Sequence, residues 1–187
     1  MKKAGFTLIE LMVVIAIIGI LGVVITPVVG KAIEKAKVAR AIATISTIDG
    51  ALVRYNIDTG LWPATAPGPP VLWYVLDHNA LLQDDGQIGW DGPYLKSWDD
   101  NDPWGGVLQI RTERLADPGL EWHNSDTVDL FITFNNNGAI FVPTSAAQRI
   151  DDSIDDGNFD TGNVTRSCSS SSGNCEMFVG VYILGYR

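Results

Sequence analysis

The sequence predicts an α+β chain: one long N-terminal helix, then a head built on an antiparallel β-sheet. Three observations carry this. An apolar run from Phe6 to Val29 passes into a stretch where apolar residues recur every three or four positions. From Gly105 onward the pattern becomes short segments rich in β-branched and aromatic residues. Between Phe134 and Ala139 stands "NNNG", a turn signal that pairs two of those segments as a hairpin. Local hairpins build antiparallel sheet, and an amphipathic helix supplies the layer against which it packs.

The first element opens "MKKAGFTLIELMVVIAIIGILGVVITPVVG". At ~1.5 Å rise per residue, residues 6–30 are long enough to span a bilayer. A secretory signal would have a shorter apolar region followed by a small-residue cleavage site, and no A-x-A step follows here. The run is therefore expected to be retained. Lys2 and Lys3 place the N-terminus in the cytoplasm and the C-terminal domain outside, although Lys31, Lys35, Lys37 and Arg40 weigh against that orientation. The one charge in the run is Glu10. A carboxylate in hydrocarbon is costly and needs a partner, and no Lys or Arg lies on the following turns. Either Glu10 sits close enough to the headgroups to reach water, or its partner is a positive charge on another chain. Gly19, Gly22 and Pro27 weaken the same helix, by backbone entropy and by loss of an amide donor.

Residues 31–60 continue the helix as a stem. Ala39, Ile42, Ile45, Ile48, Leu52 and Tyr55 mark one apolar face, read as core. Asp58, Thr59 and Gly60 end it, with Pro63 beyond. In the head, residues 61–187, the expected strands are "GVLQIR", "VDLFITF", "AIFV" and "FVGVYILGY"; "ATAPGPP" and "TRSCSSSSGN" read as loops.

The 187 residues carry 22 acidic and 13 basic side chains, a formal net charge of −9. The basic ones gather before Arg54, so the head is acidic. Phosphate neutralisation needs clustered Lys and Arg, and nucleic-acid contact by the head is excluded on that ground. An enzyme is excluded too: His78 and His123 stand beside no serine or cysteine nucleophile motif. The acidic loop 150–163, "RIDDSIDDGNFDTGN" from Arg149, gathers Asp151, Asp152, Asp155, Asp156 and Asp160 around a flexible Gly157. Calcium wants six to eight oxygens on a backbone able to wrap around it. The spacing is not that of an EF-hand, and a solvated acidic loop is the alternative. In loop 166–176, Cys168 and Cys175 of "CSSSSGNC" form a disulfide in an oxidising compartment or remain two thiols; zinc would want two further ligands.

"KKAGFTLIELMVVIAIIGIL" resembles the leader and first helix of the type IV pilin superfamily. The resemblance implies a leader 1–5 cut after Gly5 by a prepilin peptidase, N-methylation of Phe6, and pairing of Glu10 with the terminal amine of a neighbouring subunit. It also implies partial unwinding from Gly19 to Pro27 in assembled filaments. "ALVRYNIDTGLWPAT" and "WDGPYLKSWDDNDPWGG" resemble the major pseudopilins of type II secretion at Ala51, Leu52, Tyr55, Asp58, Gly60, Trp62 and Pro63, then Gly92 to Leu95 and Asp102 to Gly105. Asp-Pro and Gly-Pro fix turns there, while Tyr94 and Trp104 pin a loop onto the stem. Major pseudopilins bind calcium near the C-terminus, though this acidic stretch departs from their wording. They usually lack the cysteine pair, which pilins of type IV pili often carry.

The implied protein is a helical homopolymer subunit held in the bacterial inner membrane, head in the periplasm, before assembly. Its implied partners are the peptidase, minor pilins or pseudopilins, and the inner-membrane assembly platform. A membrane-tethered binding module that never polymerises is the rival, and it has no need for Glu10.

Overall fold

The structure is a computed structural model that describes residues 6–63, 73–113, 129–135, 142–159, 162–168 and 175–181; for residues 23–28 and several strand positions the backbone alone is described. Two units form, Met1–Lys37 and Val38–Arg187. Helix α1 runs Leu8–Thr59 without interruption, through Gly19, Gly22 and Pro27. In the first unit its described apolar side chains point in every direction, and Leu8, Ile9, Leu11, Met12, Ile15, Ile18 and Ile20 are all more than half exposed. Among the described residues no helix is long and apolar enough to cross a membrane. The fully described apolar part, Leu8 to Gly22, falls short of the ~20 residues a span needs.

In the second unit α1 is amphipathic. Val38, Ala41, Ile45, Ile48, Leu52 and Tyr55 are buried, a seam stepping by three and four residues throughout. Of the face expected from sequence, Ile42 is half-buried and Ala39 is exposed. Ala39 lies about 100° around the helix from Val38, so the seam that takes Val38 leaves it out. The helix ends where expected. Gly60, at φ +71, donates its N–H to the Asn56 carbonyl at 2.8 Å, a left-handed cap that glycine adopts without strain.

Against this seam lies one five-stranded sheet in the order β1-β2-β3-β5-β4, every pair antiparallel. Its strands are β1 Trp73–Val75, β2 Val107–Glu113, β3 Asp129–Asn135, β4 Val164–Cys168 and β5 Cys175–Val181. Leu108, Ile110, Leu130, Ile132, Phe134, Val164 and Met177 join the stem residues in one core. β2, β3 and β5 match three expected strands. β1 was not legible, and β4 falls partly in the stretch read as a loop. Residues 136–138 of the "NNNG" turn, Ala139 to Phe141 of the fourth expected strand, "ATAPGPP" and His123 lie outside the described residues.

The loop from Trp90 to Gly106 is pinned as expected. Tyr94 meets Tyr55 of α1 edge-on at 5.7 Å and Trp90 at 5.6 Å, and Leu95 is buried. Trp104 packs against the core, while buried Asp102 accepts the N–H groups of Trp104 at 2.7 Å and Gly106 at 3.0 Å. That carboxylate closes the turn its own Asp-Pro step begins.

The main departure is a second helix, α2, Thr144–Ile154, where the acidic loop was expected to start. Ala146, Ala147, Ile150 and Asp151 are its buried face. Ala146, Ala147 and Ile150 carry the spacing of a helix face, but the run is short and the neighbouring aspartates mask it.

Candidate functional site

Two clusters of polar chemistry stand outside the core. The first is the start of α1. Thr7 donates its N–H to Glu10 Oε2 at 2.8 Å and its hydroxyl to the same oxygen at 2.7 Å, and the Glu10 N–H lies 3.4 Å from Thr7 Oγ1. Threonine at the N-cap and glutamate three residues on form a reciprocal capping box, satisfying helix-end donors that no carbonyl reaches. Glu10 therefore has a role within its own chain, one that "T-x-x-E" spells in the sequence. Phe6, Ile9, Glu10, Val13 and Val14 line a shallow open groove of about 390 Å³. Gly5 and the leader lie outside the described residues.

The second cluster is at the C-terminal end of α2. Carboxylate oxygens of Asp151, Asp155 and Asp156 come within 4.8 Å of one another. Helix geometry brings the first two together: Asp155 is the C-cap, one turn beyond Asp151, and its N–H bonds the Asp151 carbonyl at 2.8 Å. The loop then turns back. Asp155 Oδ2 accepts N–H groups from Asn163 and, at 2.9 Å, Val164, tying the cluster to the start of β4. Gly162, at φ +79, makes room for this, since a Cβ there would stand 2.1 Å from Asp155 Oδ2. Asp156 accepts the Asn158 N–H at 2.9 Å.

Asp151 is the anomaly. Its residue is fully buried, and neither carboxylate oxygen has a hydrogen-bond partner. Burial, then the charges of Asp155, Asp156 and Asp152, push it up to about 6, with the Gly157 amide offsetting part of this without meeting hydrogen-bond geometry. No basic residue occupies the last turn of α2, where the helix dipole is itself negative. The cluster thus concentrates negative charge at the C-terminal end of α2. Asp152 does not join it: this exposed side chain accepts from Gln148 Nε2 at 3.0 Å, and the same nitrogen holds the Gly157 carbonyl at 2.7 Å. Asp160 lies outside the described residues.

Cys168 and Cys175 are register partners at the end of the β4–β5 pair from which the connecting residues 169–174 run. Directly opposed antiparallel residues have Cα atoms ~4.5–5.5 Å apart, within the span a disulfide requires.

Comparison with known proteins joins these features. Residues 1–26 match the prokaryotic N-terminal methylation motif, and residues 32–119 match the C-terminal model of PilW. The chain is 34% identical over 110 residues to the type II secretion system core protein G of Xanthomonas campestris, covering 58% of this chain and 68% of that one. It is 33% identical over 109 residues to core protein G of Aeromonas hydrophila, covering 58% and 73%. The type IV major pilin PilE1 of Neisseria gonorrhoeae is 43% identical over 65 residues, 35% of this chain and 30% of that one. No solved structure matches. The methylation motif, the long capped helix and the antiparallel head agree with these likenesses: the chain belongs to the type IV pilin superfamily and, within it, to the family of type II secretion core protein G, a non-enzymatic filament subunit.

Proposed function

We propose that this chain is the major subunit of a type II secretion pseudopilus. It is cut after Gly5, methylated on Phe6, held in the bacterial inner membrane by residues 6–30 with its head in the periplasm, and drawn from there into a helical homopolymer. The observation that carries this is the uncovered apolar surface all round α1 from Phe6 to Leu21. Covering each Leu or Ile is worth ~1.5–3 kcal/mol, and an apolar surface with no polar side fits either a bilayer or a bundle of like helices. Minor pseudopilins and the assembly platform are the remaining partners, and neither nucleic acid nor a small-molecule substrate is among them.

Glu10 supplies register. Its carboxylate caps its own helix and pairs with the Phe6 amine of a neighbour, an attraction several times stronger among apolar helices than in water. Glu10→Gln separates the two roles, because glutamine also serves in a capping box but carries no charge. Cleaved Glu10→Gln subunits should accumulate in the membrane while filaments disappear, and Glu10→Ala should do the same. Normal filaments from both would falsify the pairing role.

Calcium fits the second cluster. Asp151 offers two buried oxygens without partners, and Asp155 and Asp156 add carboxylates within reach. The ion would offset two of the three negative charges and hold the end of α2 to the start of β4. A second reading, a pilin of a type IV pilus, is favoured by the opposed Cys168 and Cys175, which close a loop in the exported protein.

A further inference from the structure

The loop from Asp84 to Asp91 combines firm anchorage with an uncovered apolar tip. Tyr55 of α1 donates its hydroxyl to Asp85 Oδ2 at 2.6 Å, and the Trp90 Nε1–H reaches the Ala80 carbonyl at 3.0 Å. The Asp91 N–H donates to Tyr94 Oη at 3.0 Å. Gly89, at φ +92, lies so close to the end of α1 that a Cβ would stand 2.2 Å from the Asp58 carbonyl oxygen. Asp84 and Asp85 accept the N–H groups of Gly86 at 2.8 Å and Gln87 at 3.2 Å, so the turn is bonded internally as well. Yet Ile88 at its tip is 94% exposed, more than any other large apolar side chain described. One exposed isoleucine on a loose loop would mean little. Here the backbone is already fixed, so covering Ile88 adds apolar burial at little further entropy. Asp84 and Asp91, both exposed, flank it.

Charge decides what can cover it. Of 13 basic residues, six precede Ala41, and of 22 acidic residues only Glu10 and Glu34 do, so residues 41–187 carry 7 basic against 20 acidic side chains. An acidic loop is therefore repelled by the head of another copy and by an anionic lipid surface alike. The opposite character stands in α1 between Lys31 and Arg40, with four basic residues and one acidic. Arg40 is engaged at 2.5 Å by Asp99 of its own chain. Lys31 and Lys35 are exposed one turn apart on the same face, where like charges repel.

We infer that in the filament the Asp84–Asp91 loop of one subunit docks on the Lys31–Lys37 turn of a second copy. Ile88 is the apolar anchor, and Asp84 and Asp91 meet Lys31 and Lys35. This rests on the filament reading above. It gives the acidic head a second point of register, distant in sequence from Glu10.

The test uses the full-length chain produced with its assembly machinery, a photocrosslinking amino acid in place of Ile88, and filaments sheared from the cells. Irradiation should give covalent dimers whose adducts map to residues 31–37 of the second copy. In parallel, Asp84→Lys with Asp91→Lys should lower filament yield about tenfold or more, Lys31→Asp with Lys35→Asp should do likewise, and the four changes together should restore most of it. Normal filaments whose adducts lie elsewhere on the second copy, or on lipid, overturn the docking and leave the filament reading standing. Absence of dimers together with absence of filaments overturns both. The crosslink decides alone if the reversed lysines block membrane insertion.

Discussion

Replacing Asp151 by asparagine should stabilise the cation-free head and flatten its pH dependence. Burial and three neighbouring aspartates raise Asp151 from the ordinary 3.8 to about 6. At ~1.4 kcal/mol per tenfold change in proton affinity, this corresponds to about 3 kcal/mol. The figure is an upper one, because the carboxylate lies shallowly beneath the surface and water screens it. The sign follows from the folded state binding this proton more tightly than the unfolded chain. Below about pH 4 both states are protonated and Asp151 costs nothing. Stability then falls as pH rises through about 6, above which the whole cost is present. Asparagine keeps the shape, removes the charge, and can donate its amide hydrogens to Asp155 and Asp156. The assay is thermal melting of residues 38–187, which contain every core residue, in chelator from pH 4 to 8. With ~2–4 °C per kcal/mol at this size, Asp151→Asn should melt up to about 10 °C above the parent at pH 7.5 and equal it near pH 4. Added calcium should reverse the ranking at pH 7.5, raising the parent and leaving the variant unmoved. A variant that tracks the parent at every pH, or melts below it in chelator, would refute the account of Asp151 as an unbalanced buried charge.

Intact-mass measurement of filament subunits should show loss of Met1 to Gly5 and one added methyl; retention of Met1 in filaments would end the peptidase reading. Removing Lys2 and Lys3 takes the formal charge from −9 to −11, so the mature subunit should focus at lower pH than the precursor. Native subunits without reductant should resist thiol labelling at Cys168 and Cys175, and breaking the bond should cost ~2–3 kcal/mol on the chain-entropy account. Gly162→Ala should abolish the calcium response and lower stability, since its Cβ would displace Asp155 and its φ is +79; unchanged calcium-dependent melting would count against the cluster. Tyr55→Phe, which strips the 2.6 Å bond to Asp85, should cost about 1 kcal/mol of head stability, read by urea unfolding.

The long helix, its end at Gly60, and strands β2, β3 and β5 were legible because each rests on a local pattern: a period, a cap, a β-branched run. The seam on α1 was legible to within one position. Ala39 was misplaced because alanine fits a core or a surface with little penalty, so the register had to come from Val38 and Ala41. Helix α2 was missed because a dense acidic run outweighed three apolar positions. That reading also left the place of Asp152 unseen. Read as a loop, all five aspartates can converge; on a helix, Asp151 and Asp155 share a face while Asp152 turns away to Gln148. The pairing of the Asp155 carboxylate with the start of β4 is a tertiary fact that no local pattern carries.

Glu10 has a local role in the structure beside the long-range one proposed for it. Read as a membrane charge, it raises only the question of a distant partner. In the folded chain it first completes a cap: Thr7 and Glu10 satisfy each other across the first turn, so the helix start is formed before any neighbour arrives. Preformed structure lowers the ordering cost of association, because the carboxylate need not be gathered from a frayed end. Both described bonds fall on Oε2, and a carboxylate has acceptor capacity beyond two hydrogen bonds. The cap therefore does not compete with a neighbour's amine. On the proposed pairing, a subunit with glutamine at position 10 should therefore keep its helix and lose its filament.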